Sequence, residues 1–165
     1  MLDGALSLAV PTKKGQSLQF HSNKNSFLQW KSMDENGELW FEAQYSTNNY
    51  NILQTSDTSI ANHLKIILQK AHELSNQKKT LTGDVTTKLK FPRNWGLGSS
   101  STLISCISQL FRTDPFELHF KVSSGSGYDI ACARVNHPLT YQIIAEKPEI
   151  NTVTYIQIIR VPEEL

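Results

Sequence analysis

From Asp84 to Phe111 the sequence changes its hydrophobic period across one short connection, and few folds accommodate that change. Asp84 to Phe91 alternates as a strand does, and Pro92 ends the alternation. Leu103, Ile104, Ile107, Leu110 and Phe111 then recur at the spacing of one helix face. Between them stands Gly96-Leu97-Gly98-Ser99-Ser100-Ser101. Glycine lets a backbone take positive φ and approach an anion closely, and the first turn of a helix leaves N–H groups without intrahelical partners. Those donors and the helix dipole favour phosphate. The hydroxyls of Ser99, Ser100, Ser101 and Thr102 add hydrogen bonds or one oxygen ligand for Mg²⁺, which prefers oxygen donors. No lysine follows the glycines, so this is not a Walker A loop. An isolated Gly-x-Gly more often makes only a turn and a helix cap.

The rest of the chain predicts what surrounds this unit. β-favouring residues alternate through 17–21, 27–32 and 39–45, broken by Asn-Lys-Asn and Glu-Asn-Gly turns, which predicts a meander of antiparallel strands. From Asp57 the period becomes helical at Ile60, Leu64, Ile67, Leu68, Ala71 and Leu74, with Asn76 near the end. Asp114 to Val122 reads as a shorter helix with Pro115 in its first turn. A second Gly/Ser loop, 123–127, leads into Tyr128 to Ala133, whose small and apolar residues suit a tightly packed helix; 140–144 and 152–161 read as two more strands. The fold class expected is α+β, one domain over residues 1–165, with an antiparallel sheet and helices packed on one face.

Composition excludes some functions. Sixteen basic against fifteen acidic residues leave a formal charge of +1, with no run of one sign to hold nucleic acid. No stretch approaches a membrane span and no signal peptide opens the chain. Cys106 and Cys132 lack metal-ligand spacing and read as buried free thiols of a reducing compartment, which points to the cytoplasm. The histidines (His21, His63, His72, His119, His137) share no motif with a carboxylate or cysteine and read as structural or surface groups.

The whole string Pro92 to Thr102 resembles the P-x-x-x-G-L-G-S-S motif of the GHMP kinases, departing at Ser101 and Thr102 where that family usually has alanines. Lys121 to Ala133 resembles the loop and helix that carry the catalytic aspartate in mevalonate-type kinases. Its Gly-Ser-Gly-aromatic-Asp order is most like phosphomevalonate kinases. Leu2 to Pro11 is similar to the latter part of the family's N-terminal motif, and Gly127-Tyr128-Asp129-Ile130-Ala131 suggests a bacterial subgroup named for that string.

The resemblance implies the ribosomal protein S5 domain 2-like fold, ATP and Mg²⁺ as cofactors, and transfer of a phosphoryl group to a small metabolite of isoprenoid biosynthesis, mevalonate or phosphomevalonate. By the same resemblance Gly96 to Ser101 bind the phosphates, Ser100 also helps hold Mg²⁺, and Asp129 stands at the acceptor hydroxyl. Glu117 is the nearest candidate for a carboxylate ligand of Mg²⁺, at a spacing that does not match the family's. The family's first strand would precede Met1 and its C-terminal domain would follow Leu165. A chain truncated at both ends is therefore expected, with an exposed sheet edge that pairs with a second copy. Diphosphomevalonate decarboxylase chemistry is the alternative within the superfamily, and Gly-Ser-Gly-Tyr-Asp favours the kinases over it. A non-catalytic binding module on the same fold is the alternative from another class.

Single residues carry competing readings. Asp129 is either functional or a charge that stabilises a helix N-terminus. Trp95 either stacks on adenine or anchors its loop on the core. Arg93, Lys88 and Lys90 flank the phosphate loop; Lys88 and Lys90 point to the same side of a strand, so either one of them meets a phosphate or both are solvated.

Overall fold

The computed structural model describes residues 4–76, 80–145 and 147–153. Its larger sheet contains β2 (Gln16–Ser22), β3 (Phe27–Met33), β4 (Leu39–Ser46), β5 (Ile52–Thr55) and β6 (Gly83–Leu89), in the order β2-β6-β3-β4-β5. The expected meander of β2, β3 and β4 holds only for β3 and β4, which β5 extends antiparallel; β6 inserts between β2 and β3 and runs parallel to β3. The antiparallel sheet expected from the sequence is thus a mixed one. Alternation marks a strand and its buried face, and says nothing about which neighbour it takes. Strand β6 alternates buried and half-buried residues along nearly its whole length, which fits a place with strands on both sides.

One face of this sheet is apolar. Leu28 and Trp30 of β3, Phe41 and Tyr45 of β4, and Val85 of β6 are buried there against α1 (Thr58–Leu74), α2 (Ser99–Phe111) and α3 (Pro115–Val122). The opposite face carries Gln29, Lys31, Glu42 and Gln44, so the helices lie on one side as the α+β expectation requires. Helix α1 starts where Asp57 Oδ1 accepts the N–H of Ile60 at 3.0 Å, and buries Ala61, Leu64, Ile67, Leu68 and Ala71. It stops at Leu74, where Ser75 turns extended and its hydroxyl donates to the Phe111 carbonyl at 2.7 Å, tying α1 to the end of α2. In α3, Asp114 Oδ1 caps the Glu117 N–H at 2.8 Å and Pro115 occupies the first turn.

A second sheet, absent from the sequence expectation, has the order β1-β7-β8, with β1 (Ser7–Ala9), β7 (Leu139–Ile144) and β8 (Lys147–Thr152) all antiparallel. It packs on α4 (Tyr128–Cys132) through Ala9, Ala131, Leu139 and Tyr141. The last strand expected, 152–161, overlaps β8 only at Thr152, and residues 154–161 lie outside the described residues. Leu6, Leu8 and Val10 are exposed in and around the edge strand β1. Among the described residues no helix is long and apolar enough to cross a membrane.

Two buried tyrosines tie the sheet to α1. Tyr45 donates to the Ala61 carbonyl at 3.1 Å, and Tyr50 Oη lies 3.1 Å from His72 Nδ1. Burial pushes both phenols up, Tyr50 to about 12 against an ordinary value of 10.0. The fold therefore favours the neutral phenol. This stability is fully present below the unfolded pKa near 10 and is lost as pH rises through about 12. The urea midpoint is expected to fall over that window, less steeply in Tyr50→Phe; equal slopes in both proteins would show that Tyr50 is not responsible.

Candidate functional site

After β6, the Lys90 N–H donates to the Gly15 carbonyl at 2.9 Å and Phe91 is buried, so the chain is fixed to the sheet up to Pro92. A single 3-10 turn over Arg93–Trp95 follows, then Gly96 at φ +67° and Gly98 at φ +69°. Both glycines take the left-handed conformation that the sequence predicted for an anion-approaching loop. Helix α2 begins at Ser99 with Gly98 as its N-cap, and no side chain caps it. Its first turn presents the N–H groups of Ser99 and Ser100 with no side-chain acceptor.

Helix α4 stands beside this turn and brings Asp129 to it. A methyl group built on Gly98 would lie 3.0 Å from Asp129 Cγ and 3.2 Å from Oδ2, so the carboxylate rests directly against the glycine backbone. Asp129 is itself exposed to solvent. Two motifs separated by α3 in the chain thereby become one place in space.

That place opens into a cleft of about 820 Å³ between α2, α4 and the segment that joins β1 to β2. Gly96, Leu97 and Asp129 line it. Ser99 and Ser101 are half-buried and Ser100 is exposed on the first turn of α2; with Gly98, they are not among the residues that line the cleft. Lys13, Lys14 and Lys90 also face the cleft, and Asp129 is its one acidic side chain among the described residues. The Thr102 hydroxyl lies 2.9 Å from the Ser99 carbonyl and 3.0 Å from Gln16 Oε1, which ties the start of α2 to β2. Sequence reasoning did not single out Lys13, Lys14 or Gln16. The cluster Pro11-Thr12-Lys13-Lys14-Gly15 was a local signal of a basic turn, but nothing in it indicated which helix it would face.

The flanking residues divide. Lys90 lines the cleft, whereas Arg93 is not among its lining residues and lays its guanidinium 3.8 Å from the centre of the Trp40 ring of β4. Lys88 is exposed on β6. Trp95 is 56% exposed, with Lys14 Nζ 5.5 Å from its ring centre, so it does not anchor the loop on the core.

Of the loop's hydroxyls, that of Ser100, exposed on the first turn of α2, is an oxygen donor of the kind that suits Mg²⁺. Glu117 is exposed on α3 and does not line the cleft, so it is not brought to the other candidates. Among the described residues no three His, Cys, Asp or Glu side chains gather into a metal cage.

Cys106 and Cys132 are free and half-buried, and both line the cleft. The sequence expectation of fully buried thiols is corrected in that respect, because the cleft exposes one side of each helix. Burial pushes both thiols up, and the nearby Asp129 charge raises Cys132 further. Iodoacetamide at pH 7.5 is therefore expected to alkylate both more slowly than it alkylates glutathione. A rate matching or exceeding that of glutathione would show that the thiols ionise readily.

Comparison of the chain with family models, with curated proteins and with solved structures returned no match.

Proposed function

We propose that the cleft is the nucleotide and acceptor site of a GHMP-type small-molecule kinase on a ribosomal protein S5 domain 2-like fold. In this reading a phosphoryl group passes from ATP to mevalonate or phosphomevalonate. The observation that carries the reading is the seat of Asp129 against Gly98. A phosphate on the glycine loop and an acceptor oxygen at the carboxylate would then be neighbours, as in-line transfer requires.

The chain's own residues would act as follows. The backbone of Gly96 to Gly98 and the open first turn of α2 receive the phosphates. Ser100 adds a hydroxyl beside them. Mg²⁺, which the Ser100 hydroxyl would help hold, would supply positive charge against the charge that develops during transfer. With mevalonate as acceptor, Asp129 accepts the hydrogen of the hydroxyl as its oxygen bonds to the γ-phosphorus, while the bond to the bridging β–γ oxygen breaks and ADP leaves with that electron pair. The transition state is loose, so orientation and charge stabilisation matter more than proton removal, and an ionised aspartate suffices. Lys13, Lys14 and Lys90 place positive charge around the acceptor.

Titration of the protein with MgATP, followed by acceptor-dependent ADP release with mevalonate and with phosphomevalonate, tests this reading. Weak binding and slow acceptor-dependent release are expected. Ser100→Ala is expected to weaken MgATP binding and to lower kcat together, because one oxygen serves both metal and phosphate. Absence of MgATP binding, or ADP release indifferent to both acceptors, would remove the kinase assignment.

A further inference from the structure

The loop that delivers Asp129 is held from below by two side chains belonging to different elements. His119 of α3 is 4% exposed, and its Nε2 lies 3.0 Å from the Gly125 carbonyl oxygen. A carbonyl can only accept, so Nε2 carries the hydrogen and donates. His119 Nδ1 is then a buried lone pair with no hydrogen-bond partner among the described residues. Tyr141 of β7 is fully buried, and its hydroxyl donates to the next carbonyl, that of Ser126.

Two successive peptide planes are thereby fixed immediately before Gly127. That glycine turns the chain into α4 at φ +77° and is packed so closely that an added methyl would lie 3.1 Å from Tyr141 Oη and 3.2 Å from Phe116 Cδ1. Asp129 is the second residue of α4. Little freedom remains between the two anchored carbonyls and the carboxylate that rests on Gly98.

We propose that His119 and Tyr141 are positioning residues: by donating to the carbonyls of Gly125 and Ser126 they hold the loop that sets the Asp129 carboxylate against Gly98. The proposal rests on the kinase reading given above. Neither side chain touches the cleft, so each acts through the loop. Burial pushes the Tyr141 phenol up, which keeps it a protonated donor at any pH at which the enzyme would work. The unpartnered Nδ1 is an uncommon feature of a buried ring.

Removing only the hydroxyl separates positioning from folding, since Tyr141→Phe keeps the ring that fills the core. With MgATP and mevalonate or phosphomevalonate as acceptor, Tyr141→Phe is expected to lower kcat on the order of tenfold with the KM for MgATP little changed, because small displacements of a reacting group are costly. His119→Leu is expected to do the same, and His119→Gln, which returns a donor near the Nε2 position, to recover part of the loss. In an Asp129→Asn background the Tyr141→Phe effect should vanish, since a misplaced group that no longer acts costs nothing further.

A Tyr141→Phe enzyme with unchanged kcat would overturn the proposal, as would a loss of equal size in the Asp129→Asn background, which would mark a general structural defect. If Asp129→Asn itself kept a near-normal kcat, the kinase reading of Asp129 would fail first. The two failures are therefore distinguishable by the Asp129→Asn reference alone.

Discussion

Asp129→Asn is expected to lower kcat for phosphoryl transfer by about a hundredfold or more, with MgATP affinity within about twofold of the parent. The substitution keeps size and shape and removes the charge. It leaves an amide against Gly98, where an added methyl would already come within 3.2 Å of Asp129 Oδ2, so the loop need not move. The groups that would bind the phosphates, Gly96 to Gly98 and the first turn of α2, are untouched, which is why affinity should hold. The acceptor hydroxyl, however, would face a neutral amide that cannot take its proton, and a hundredfold corresponds to about 2.7 kcal/mol of lost transition-state stabilisation. Steady-state kinetics and calorimetric titration of the same preparation decide the matter. Near-normal kcat would return Asp129 to the role of a charge at a helix N-terminus, and parallel loss of affinity and kcat would mean that the residue serves binding instead of chemistry.

Gly83→Ala is expected to cost the fold roughly 3 to 5 kcal/mol, the sum of a strained backbone conformation and an overpacked contact. Gly83 opens β6 at φ +141°, in a region that side-chain-bearing residues rarely adopt. A methyl there would lie 2.9 Å from Ser22 Cα and nearer still to the His21 carbonyl oxygen. Relief is difficult, because Gly83 is paired with Ser22 on one side and Leu28 on the other, and neither strand can withdraw without opening the sheet. A fall in Tm on the order of 10 °C should accompany the loss. Gly15→Ala is the control: nothing lies within 4 Å of its added methyl, and its midpoint should shift by less than about 0.5 kcal/mol. Equal midpoints for Gly83→Ala and the parent would contradict the register of β6 between β2 and β3.

What the sequence determined by itself is local. The alternation in 17–21, 27–32 and 39–45 marked β2, β3 and β4 to within a few residues, and the period change at Asp57 marked α1. The glycines of 96–98 announced a left-handed entry into α2, and Pro115 the start of α3. Each of these depends on side-chain spacing or backbone freedom within one turn or one strand, which a sequence displays directly. Strand β5 escaped notice because Ile52 to Thr55 is short and only partly buried, so its period is weak.

Only the tertiary structure decided which strands are neighbours and which residues share the cleft. That β6 lies between β2 and β3, that β1 leaves the main sheet to pair with β7, and that Lys13, Lys14 and Gln16 face α2 are outcomes of non-local pairing. Period 2 specifies a buried face and leaves the partner open, and a helical stripe specifies a direction without naming what it meets. The contact of Asp129 with Gly98 is of the same kind. Each residue was legible as a candidate in its own motif, but their meeting depends on α3 returning the chain so that α4 packs beside the N-terminus of α2, with His119 and Tyr141 holding the loop between.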